Sequence, residues 1–465
     1  MSLFYSSKNF VYYQNIENKN MKALILAAGN GTRMQPVTRG RHKSLMPLFG
    51  LKIIERVILG AKEAGITEFV IVTGYKGKDL RKFLGSGEKY NISISFVHNN
   101  NWEKANGISA LLAKEHFNEN FALLMSDHVF DPKTLSRIQR LKLNKNECAL
   151  AIDKNLDRVL DVNDTTKVLV KGNKIIGLNK DLKNYNAYDT GMFICSPYIF
   201  EVLKKTTALG KNSLSDGMRV IAKEGNLRSL DNKGKFWADC DTWEDIKFAR
   251  KKFINDLTKG EDGIISKQFN RKISTLISRY LVNTSITPNM ISFTILMMAI
   301  PTFLLLASGI YPWLILGGLL IQLMSILDGV DGEIARMKFA RSSWGEFLDA
   351  NLDKYVDTAA VAGMTLGFLK ITGNSWIIPI SLFLIFGLGL DGYMPNKFQV
   401  ITGKKLKFGM LKIINIKRDT RLLILSLGAI FNLILLSFVV LLVFYHFKVF
   451  IRLVSAKRIS EHLKI

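Results

Sequence analysis

The hydrophobic and polar positions divide the chain into two halves of different character. From Met21 to about Asp262, short apolar segments alternate with segments of helical periodicity, whereas from Met290 onward the apolar residues form long runs. Strands that alternate with helices are typical of an α/β domain built on a parallel sheet. A helix needs about 20 mostly apolar residues to cross the hydrocarbon layer of a membrane. The pattern therefore predicts an α/β domain followed by an all-α transmembrane bundle.

Five short apolar segments of the first half are predicted as strands of a Rossmann-like, mostly parallel sheet. Between the first two strands, residues 51–64 have helical periodicity and are followed by Gly65, a residue type that commonly ends a helix. Residues 236–251 close the domain. The predicted strands are residues 22–28, 68–73, 92–97, 121–125 and 147–152.

The second half contains four long apolar runs, from which we predict six membrane crossings. The last run has no clear turn residue, and we expect it to split near Asn432. Basic residues concentrate between particular runs, and such residues favour the cytoplasmic side of a membrane. An even number of crossings places all of these basic segments in the cytoplasm. The apolar runs are residues 291–306, 313–327, 377–390 and 422–445, and the basic segments include residues 271–279, 336–341, 397–421 and 457–464.

Four regions follow from these patterns. Residues 1–20 are an N-terminal extension without the apolar core of a signal peptide, and residues 21–256 form the α/β domain. Residues 257–286 contain a polar linker and a basic amphipathic helix, residues 264–280, which we expect to lie along the membrane surface. Residues 287–465 form the transmembrane domain.

Charge and cysteine content narrow the class of protein. The formal net charge is +25, which nucleic-acid binding could explain, but the position of the basic residues between apolar runs favours membrane orientation, and we expect no nucleic-acid partner. Cys148, Cys195 and Cys240 have unrelated spacings, which indicates neither a disulfide framework nor a zinc site and is typical of a reducing cytoplasm.

The first candidate site is a glycine-rich loop, residues 26–34 (LAAGNGTRM), directly after the first predicted strand. Glycines at such a position let backbone N–H groups approach phosphate oxygens closely, and Arg33 and Lys43 could supply cations. Taken alone, Gly29 and Gly31 are weak evidence for such a site, because two glycines at this spacing more often mark only a tight turn between a strand and a helix. The full string resembles the nucleotidyltransferases of sugar and alditol phosphates, whose motif is L-x-A-G-x-G-x-R-[LM] followed by Lys-Pro. Here Lys43 is followed by Ser44, with a proline only at Pro47.

This resemblance implies a role for each matching position. Arg33 and Lys43 would be catalytic, by stabilising the departing pyrophosphate. Residues 189–191 (DTG) resemble a segment near the acceptor phosphate, and Asn106 and Gly107 a segment near the base. The implied nucleotide-binding residues are Ala27, Ala28, Gly29, Gly31, Arg33, Lys43, Asn106 and Gly107.

Two acidic segments resemble the metal-binding segments of the same family. Residues 125–128 (MSDH) resemble its G-D-x segment, with Ser126 in place of glycine, and residues 237–242 (WADCDT) resemble its W-x-D-x-D-T segment. The resemblance implies that Asp127 and Asp241 bind Mg²⁺, with Asp239 as the alternative to Asp241. Asp241 could instead, or in addition, cap the helix that follows it.

The second candidate site is a set of four aspartates on two predicted membrane helices. Asp328 and Asp331 are separated by three residues, and Asp349 and Asp353 by four, so each pair lies on one face of its helix. Such carboxylates are costly at the end of a membrane bundle unless they are paired or bind a metal. The alternative without a metal site is that these aspartates are solvated acids at the helix ends, paired with Arg336 and Arg341.

Every position of this region matches the motif D-x2-D-G-x2-A-R-x8-G-x3-D-x3-D of the CDP-alcohol phosphotransferases, and the region resembles that family. The resemblance implies metal binding by Asp328, Asp331 and Asp349, and a general-base role for Asp353, which could also contact a metal. Asp357 extends the same face and is expected to be structural. The implied nucleotide-binding residues of this half are Gly332, Ala335, Arg336 and Gly345.

Together, the two halves resemble the bifunctional CTP:inositol-1-phosphate cytidylyltransferases/di-myo-inositol-phosphate-phosphate synthases, through residues 106–114, 188–193, 270–278, 325–336 and 417–421. This implies CTP, a CDP-alcohol and inositol 1-phosphate as substrates, Mg²⁺ or alternatively Mn²⁺ as cofactor, a homodimer, and active sites at the cytoplasmic face of the cell membrane. Lys417, Arg418 and Arg421 would bind the acceptor phosphate, or else serve as a basic membrane flank. The alternatives are a phospholipid synthase with a lipid acceptor and a non-catalytic membrane anchor.

Overall fold

The computed structural model describes residues 21–35, 37–158, 161–162, 164–257, 269–404, 406 and 416–463. The chain divides into two compact units, Met1–Asp256 and Leu257–Ile465. The predicted N-terminal extension and residues 258–263 of the predicted linker lie outside the described residues.

The first unit is an α/β domain, as the sequence predicts. The predicted strands agree with observed ones to within one residue at each end. The strands are β1 (Ala23–Ala27), β2 (Pro47–Leu48), β3 (Leu51–Lys52), β4 (Glu68–Thr73), β5 (Ser93–His98), β6 (Phe121–Met125), β7 (His128–Phe130), β8 (Cys148–Asp153), β9 (Lys167–Lys171), β10 (Lys174–Asn179), β11 (Ala187–Cys195), β12 (Leu227–Asp231) and β13 (Trp237–Asp239). The helices are α1 (Ile53–Glu63), α2 (Gly77–Leu84), α3 (Asn106–Leu112), α4 (Pro132–Ile138), α5 (Tyr198–Ala208), α6 (Leu214–Lys223) and α7 (Trp243–Leu257).

The main sheet has the strand order β5-β4-β1-β6-β11-β8-β12-β10-β9. Strands β5, β4, β1 and β6 are parallel, as predicted, but β11 is antiparallel to both of its neighbours, and β9 and β10 form an antiparallel hairpin. The sheet is therefore mixed rather than mostly parallel. For β9 and β10 the cause is local: only Gly172, with φ +63°, and Asn173 connect the two strands, which is too short for the crossover that a parallel pair needs.

Strand β1 lies between β4 and β6 in the sheet and is buried on both faces. Leu24 and Leu26 belong to one cluster of buried apolar side chains, and Ala23, Ile25 and Ala27 belong to the other. Successive side chains of a strand point to opposite faces, so a continuous apolar segment is what a strand covered on both sides requires. The carboxyl end of β1 thereby delivers the glycine-rich loop to the edge of the sheet.

The second unit is a helical bundle. Within the part of the chain that the structure describes, four helices are long and apolar enough to cross a membrane: Pro288–Ala307, Tyr311–Met337, Ile377–Thr402 and Ile434–Ser460. Three other helices of this unit do not meet that criterion. Helices α8 (Arg271–Leu281) and α13 (Arg418–Ile430) have only 11 and 13 residues, and α11 (Ser343–Thr372) is long but less apolar and carries charged residues. The count of six crossings stays a prediction. The helices are α8 (Arg271–Leu281), α9 (Pro288–Ala307), α10 (Tyr311–Met337), α11 (Ser343–Thr372), α12 (Ile377–Thr402), α13 (Arg418–Ile430) and α14 (Ile434–Leu463).

Two local features of the bundle bear on the sequence predictions. The last apolar run is interrupted where expected, because Asn432, with φ +54°, lies in the turn between α13 and α14. Helix α8 is amphipathic, but its polar side is the buried one: Arg271 is 8% exposed and Ser274 is fully buried, whereas Leu276 is 66% exposed. The location of this helix along the membrane surface stays a prediction, and Arg271 is not one of its exposed residues.

Candidate functional sites

The glycine-rich loop of the first unit is shaped by one residue in the left-handed region. Gly31 has φ +59°, and a Cβ atom there would lie 2.9 Å from side-chain carbons of Lys43. A larger residue at this position would therefore push Lys43 out of the cleft. After Gly31 the chain makes a single 3₁₀ turn, Thr32–Met34, which brings Arg33 to the same cleft.

Two cations and three carboxylates converge beyond this loop. Lys43 Nζ lies 2.6 Å from Asp241 Oδ1 and also contacts Asp127, and Arg33 contacts Asp241 and Asp164. Burial opposes the charged form of Lys43, but Asp127 and Asp241 outweigh burial and raise its pKa above the usual range. The side chain is thus held as a cation in the cleft, as contact with a phosphate group requires.

The acidic group of the cleft is formed by strands β7 and β13. Their antiparallel pairing sets Asp239 opposite His128, and the ligand atoms of Asp127, His128 and Asp239 all lie within 4.8 Å of one another. His128 Nδ1 lies 2.9 Å from Asp127 Oδ1 and 3.7 Å from Asp239 Oδ1. This arrangement could hold a divalent metal ion, and it brings Asp239, the alternative ligand of the sequence analysis, next to Asp127.

Electrostatics within this group follow from burial and close charges. Burial raises the pKa of Asp239 to about 7, with Asp241 and Asp127 adding to it despite the opposing effect of His128. Burial disfavours charged His128, but Asp239 and Asp127 outweigh it and raise its pKa to about 10. Burial also acts against ionised Asp127, yet Lys43 and His128 hold its pKa well below the usual range.

Asp241 does not cap helix α7. The N-terminal box of that helix is made by Thr242, whose backbone N–H and hydroxyl donate to Asp245 Oδ2 at 2.8 and 2.7 Å, and whose hydroxyl accepts from the Asp245 backbone N–H. The carboxylate of Asp241 is therefore left for Lys43 and Arg33.

A second part of the cleft lies beside the acidic group. It is lined by Asn106, Lys180, Asp189 and Gly191, among others. Asn106 Oδ1 accepts a hydrogen bond from Leu214 N at 2.9 Å, so this residue connects the cleft to the start of α6. The sequence analysis missed Lys180, whose Nζ lies 2.6 Å from Asp164 Oδ1.

In the second unit, the predicted aspartates come together at the end of the bundle. Carboxylate oxygens of Asp328, Asp349 and Asp353 lie within 4.8 Å of one another, and Asp331 lies beside Asp328 and Asp349. Ser292 of α9 donates to Asp331 Oδ2 at 2.8 Å. An all-oxygen set of this kind suits a hard divalent cation such as Mg²⁺.

The cation that pairs with these aspartates comes from α13. Arg418 Nη1 lies 2.8 Å from Asp353 Oδ1 and also contacts Asp328, and its Nε lies 3.5 Å from Asp357. Arg421 contacts Asp357 as well. The alternative without a metal site paired the aspartates with Arg336 and Arg341. For Asp328 and Asp353 this is wrong, because their partner is Arg418.

The remaining predicted residues of this half are placed as follows. Gly332 and Gly345 lie in α10 and at the start of α11, where a Cβ atom would lie 3.4 Å from Arg336 Nη1 and 3.1 Å from Ser342 Oγ, respectively. Ala335 lies in α10, on the last turns before Met337, and Lys417 is the N-cap residue of α13.

Known proteins match both units. The nucleotidyl transferase family matches residues 22–158, and the CDP-alcohol phosphatidyltransferase family matches residues 285–450. A protein of Aquifex aeolicus described as "Bifunctional IPC transferase and DIPP synthase" is 32% identical over 92% of this chain and 96% of its own length. Proteins with the same description from Archaeoglobus fulgidus and Thermococcus kodakarensis are 34% and 35% identical, over 90% and 81% of this chain and 80% and 82% of their own lengths.

The chain belongs to the family of bifunctional IPC transferases and DIPP synthases. It is thus a transferase with a nucleotidyltransferase unit and a CDP-alcohol phosphotransferase unit, which confirms the fold and enzyme classes expected from the sequence.

Within this bifunctional transferase, two departures from the general nucleotidyltransferase pattern contact each other. Ser44 replaces the expected proline and Ser126 the expected glycine, and the Ser44 hydroxyl donates to Ser126 Oγ at 2.9 Å in a fully buried position. The bond joins the Lys43 segment directly to the Asp127 segment. Neither motif on its own could have indicated this, because the two serines are 82 residues apart.

His42 is another residue that the sequence analysis missed. It is 1% exposed, its Nδ1 accepts from Ser44 N at 3.2 Å, and its Nε2 lies 3.1 Å from the carbonyl oxygen of Ala27. The acceptor role of Nδ1 leaves the proton on Nε2, which can donate to that carbonyl. Burial lowers the pKa of His42, so the ring is held neutral, and it fixes the glycine-rich loop to Lys43.

Proposed function

We propose that the first unit transfers the cytidylyl group of CTP to inositol 1-phosphate, and that the second unit transfers the phospho-inositol group of the resulting CDP-inositol to a second inositol 1-phosphate. The family description names an IPC transferase and a DIPP synthase for the relatives. The observation that carries the proposal for this chain is the group of cations beside the four aspartates, because it indicates the charge of the acceptor.

Five cationic side chains form this group, in one connected network. Arg421 donates to Tyr445 Oη at 3.2 Å, and Lys448 lies 2.9 Å from Asp391 Oδ1. Outside the proposed metal ligands, Asp357 pairs with Arg418 and Arg421, and Asp391 pairs with Lys448 and Arg452. The five cations are Lys354, Arg418, Arg421, Lys448 and Arg452.

Arg418 and Arg421 share Asp357, and once metal ions occupy the other aspartates these two cations need further negative charge, since unbalanced charges are costly inside a membrane bundle. A phosphomonoester dianion supplies it, and guanidinium groups bind phosphate oxygens well. The hydroxyl end of diacylglycerol or of an archaeal diether carries no charge. The network therefore favours a phosphorylated acceptor over the lipid acceptor of a phospholipid synthase.

In the first reaction, a phosphate oxygen of inositol 1-phosphate attacks the α-phosphorus of CTP, and pyrophosphate leaves. Arg33 and Lys43 are placed to contact the phosphates, and Gly29 and Gly31 let the backbone approach them. Asp127 with Asp239 or Asp241 would hold a divalent metal, for which we propose Mg²⁺. The metal, when bound, neutralises phosphate charge. Lys180 is placed to contact the phosphate of inositol 1-phosphate.

In the second reaction, a hydroxyl of the acceptor inositol phosphate attacks the inositol-bearing phosphorus of CDP-inositol, and CMP leaves. Asp353 accepts the hydroxyl proton. Asp328, Asp331 and Asp349 would hold the divalent metals, which neutralise the diphosphate. Arg418 and Arg421 orient the acceptor phosphate.

The proposed substrate CTP is available in the cytoplasm, so the residues that would bind it are expected on the cytoplasmic side. We propose that both sites face the cytoplasm, that the four apolar helices lie in the cell membrane, and that the protein is a homodimer. The basic residues between the apolar helices support that orientation.

Two variants separate the half-reactions. With CTP, Mg²⁺ and inositol 1-phosphate, phosphorus NMR should show CDP-inositol followed by a phosphodiester. Asp353→Asn should accumulate CDP-inositol, whereas Lys43→Met should form neither product until CDP-inositol is supplied. Each variant is the folding control for the other. A labelled product that partitions into organic solvent would support the lipid acceptor, and absence of both products in the wild-type protein would refute the proposal.

A further inference from the structure

Helix α10 carries a buried acid that the transfer chemistry described above does not use. Glu333 follows the aspartate pair by two residues, and its side chain is fully buried. Its carboxylate accepts three hydrogen bonds from α8: from Arg271 Nη1 at 2.6 Å, from Ser274 Oγ at 2.8 Å and from Ser278 Oγ at 2.6 Å. Helix α8 is thus joined to α10 by a satisfied, buried ion pair.

Further contacts extend this junction toward the start of α8. Asn270 Nδ2 donates to Ser325 Oγ at 3.1 Å, and Gln322 Nε2 donates to Asn270 Oδ1 at 2.9 Å. Between these contacts and Glu333, a Cβ atom on Gly329 would lie 3.3 Å from Ser274 Oγ. A glycine here lets the two helices approach closely.

The junction lies on the far side of α10 from the metal-binding aspartates. At about 100° per residue, the side chains of Gln322, Ser325, Gly329 and Glu333 share one stripe, which lies about 135° around the helix from that of Asp328 and Asp331. Helix α8 therefore supports from behind the segment of α10 that presents these two carboxylates.

A buried ion pair is weak evidence for stability, because apolar residues of similar volume often stabilise a protein as well. The charged groups of Glu333 and Arg271 instead restrict α8 and α10 to a single register relative to each other. Sliding α8 along α10 by one turn, about 5.4 Å, would leave the buried charge of Glu333 without its three donors. Apolar side chains would tolerate intermediate positions.

We propose that Glu333 and Arg271 are positioning residues for the transfer reaction: the ion pair fixes α8 in one register behind α10 and so holds Asp328 and Asp331 where they can bind metal together with Asp349. This inference rests on the proposed transfer function of the second unit. It assigns to the helix that precedes the bundle a role in metal binding that acts through Glu333 of α10.

The test uses the full-length protein in detergent, with CMP release from CDP-inositol measured as a function of Mg²⁺ concentration. The double variant Arg271→Met/Glu333→Met removes both charges and keeps apolar bulk. We expect the Mg²⁺ concentration for half-maximal activity to rise about 10-fold or more, with the thermal unfolding midpoint and the release of pyrophosphate from CTP unchanged. Glu346→Gln, at an exposed position of α11, is the matched control and should behave as wild type.

If the ion pair only stabilised the fold, the double variant would have a changed thermal unfolding midpoint and an unchanged Mg²⁺ requirement. A double variant with unchanged Mg²⁺ dependence would overturn the proposal, whether or not its stability fell. If the double variant does not fold, Ser278→Ala decides, because it removes one donor and leaves the ion pair: a rise of about 3-fold or more in the Mg²⁺ requirement supports the proposal, and an unchanged requirement overturns it. Wild-type protein that releases no CMP would instead refute the proposed function.

Discussion

Replacing Arg418 by methionine should separate the two roles that its position indicates. Arg418 lies between the aspartates and the other cations of the second unit, and its Nη1 is 2.8 Å from Asp353 Oδ1. If it binds the acceptor phosphate, the variant loses at least one charge-assisted hydrogen bond, which contributes about 1.5–3 kcal/mol. The KM for inositol 1-phosphate in CMP release should then rise about 10- to 150-fold.

The same substitution should have the opposite effect on metal binding. Opposite unit charges about 4 Å apart near a protein surface attract each other by about 4 kcal/mol, and a metal ion must compete with that attraction at Asp328 and Asp353. Without Arg418, the Mg²⁺ concentration for half-maximal activity should fall. General damage to the site would raise both the KM for inositol 1-phosphate and the Mg²⁺ requirement. A higher KM together with a lower Mg²⁺ requirement therefore distinguishes the proposed roles from general damage.

The assay is CMP release from CDP-inositol, with each of Mg²⁺ and inositol 1-phosphate varied in turn. Arg341→Met is the matched control, because Arg341 is an exposed cation of the same unit and the substitution removes the same charge. An unchanged KM for inositol 1-phosphate would refute the acceptor role of Arg418. A higher Mg²⁺ requirement would refute the inferred competition between Arg418 and the metal.

Three further predictions concern the first unit and the metal. Gly191→Ala should reduce pyrophosphate release by about 100-fold and leave CMP release unchanged, because Gly191 has φ +74° and a Cβ atom there would lie 2.4 Å from the ring of His128; equal loss of both activities would contradict this. Ser213→Ala should lower the thermal unfolding midpoint by about 2–4 °C at pH 7, since the N-cap of α6 contributes about 1 kcal/mol. Burial raises the pKa of Asp216, but hydrogen bonds from Ser213 and Arg219 outweigh burial and lower the pKa. The stabilisation by the N-cap should therefore be present above pH 4 and disappear as the pH falls through the folded-state pKa of Asp216. An unchanged unfolding midpoint of Ser213→Ala at pH 7 would refute this prediction. Chelation of divalent metals should abolish pyrophosphate and CMP release together, and added Mg²⁺ or Mn²⁺ should restore both; survival of either activity would show that its unit needs no such metal.

The sequence was sufficient for features that depend on local spacing. Asp328 and Asp331 lie on one face of α10 because helical geometry brings residues three apart together, whatever the helix packs against. The apolar segment of β1 and the glycine at position 31 are similarly local requirements of a buried strand and of a left-handed turn.

Only the tertiary structure could decide which distant residues complete these local groups. Arg418 contacts Asp353 from another helix, and Ser44 donates a hydrogen bond to Ser126 from a segment far away in the chain. The polar side of α8 is typical of a helix at a membrane surface, and only the packing shows that this side faces Glu333. Periodicity specifies the direction of a side chain relative to its own helix or strand, but the partner depends on how the elements pack, and no local pattern records that.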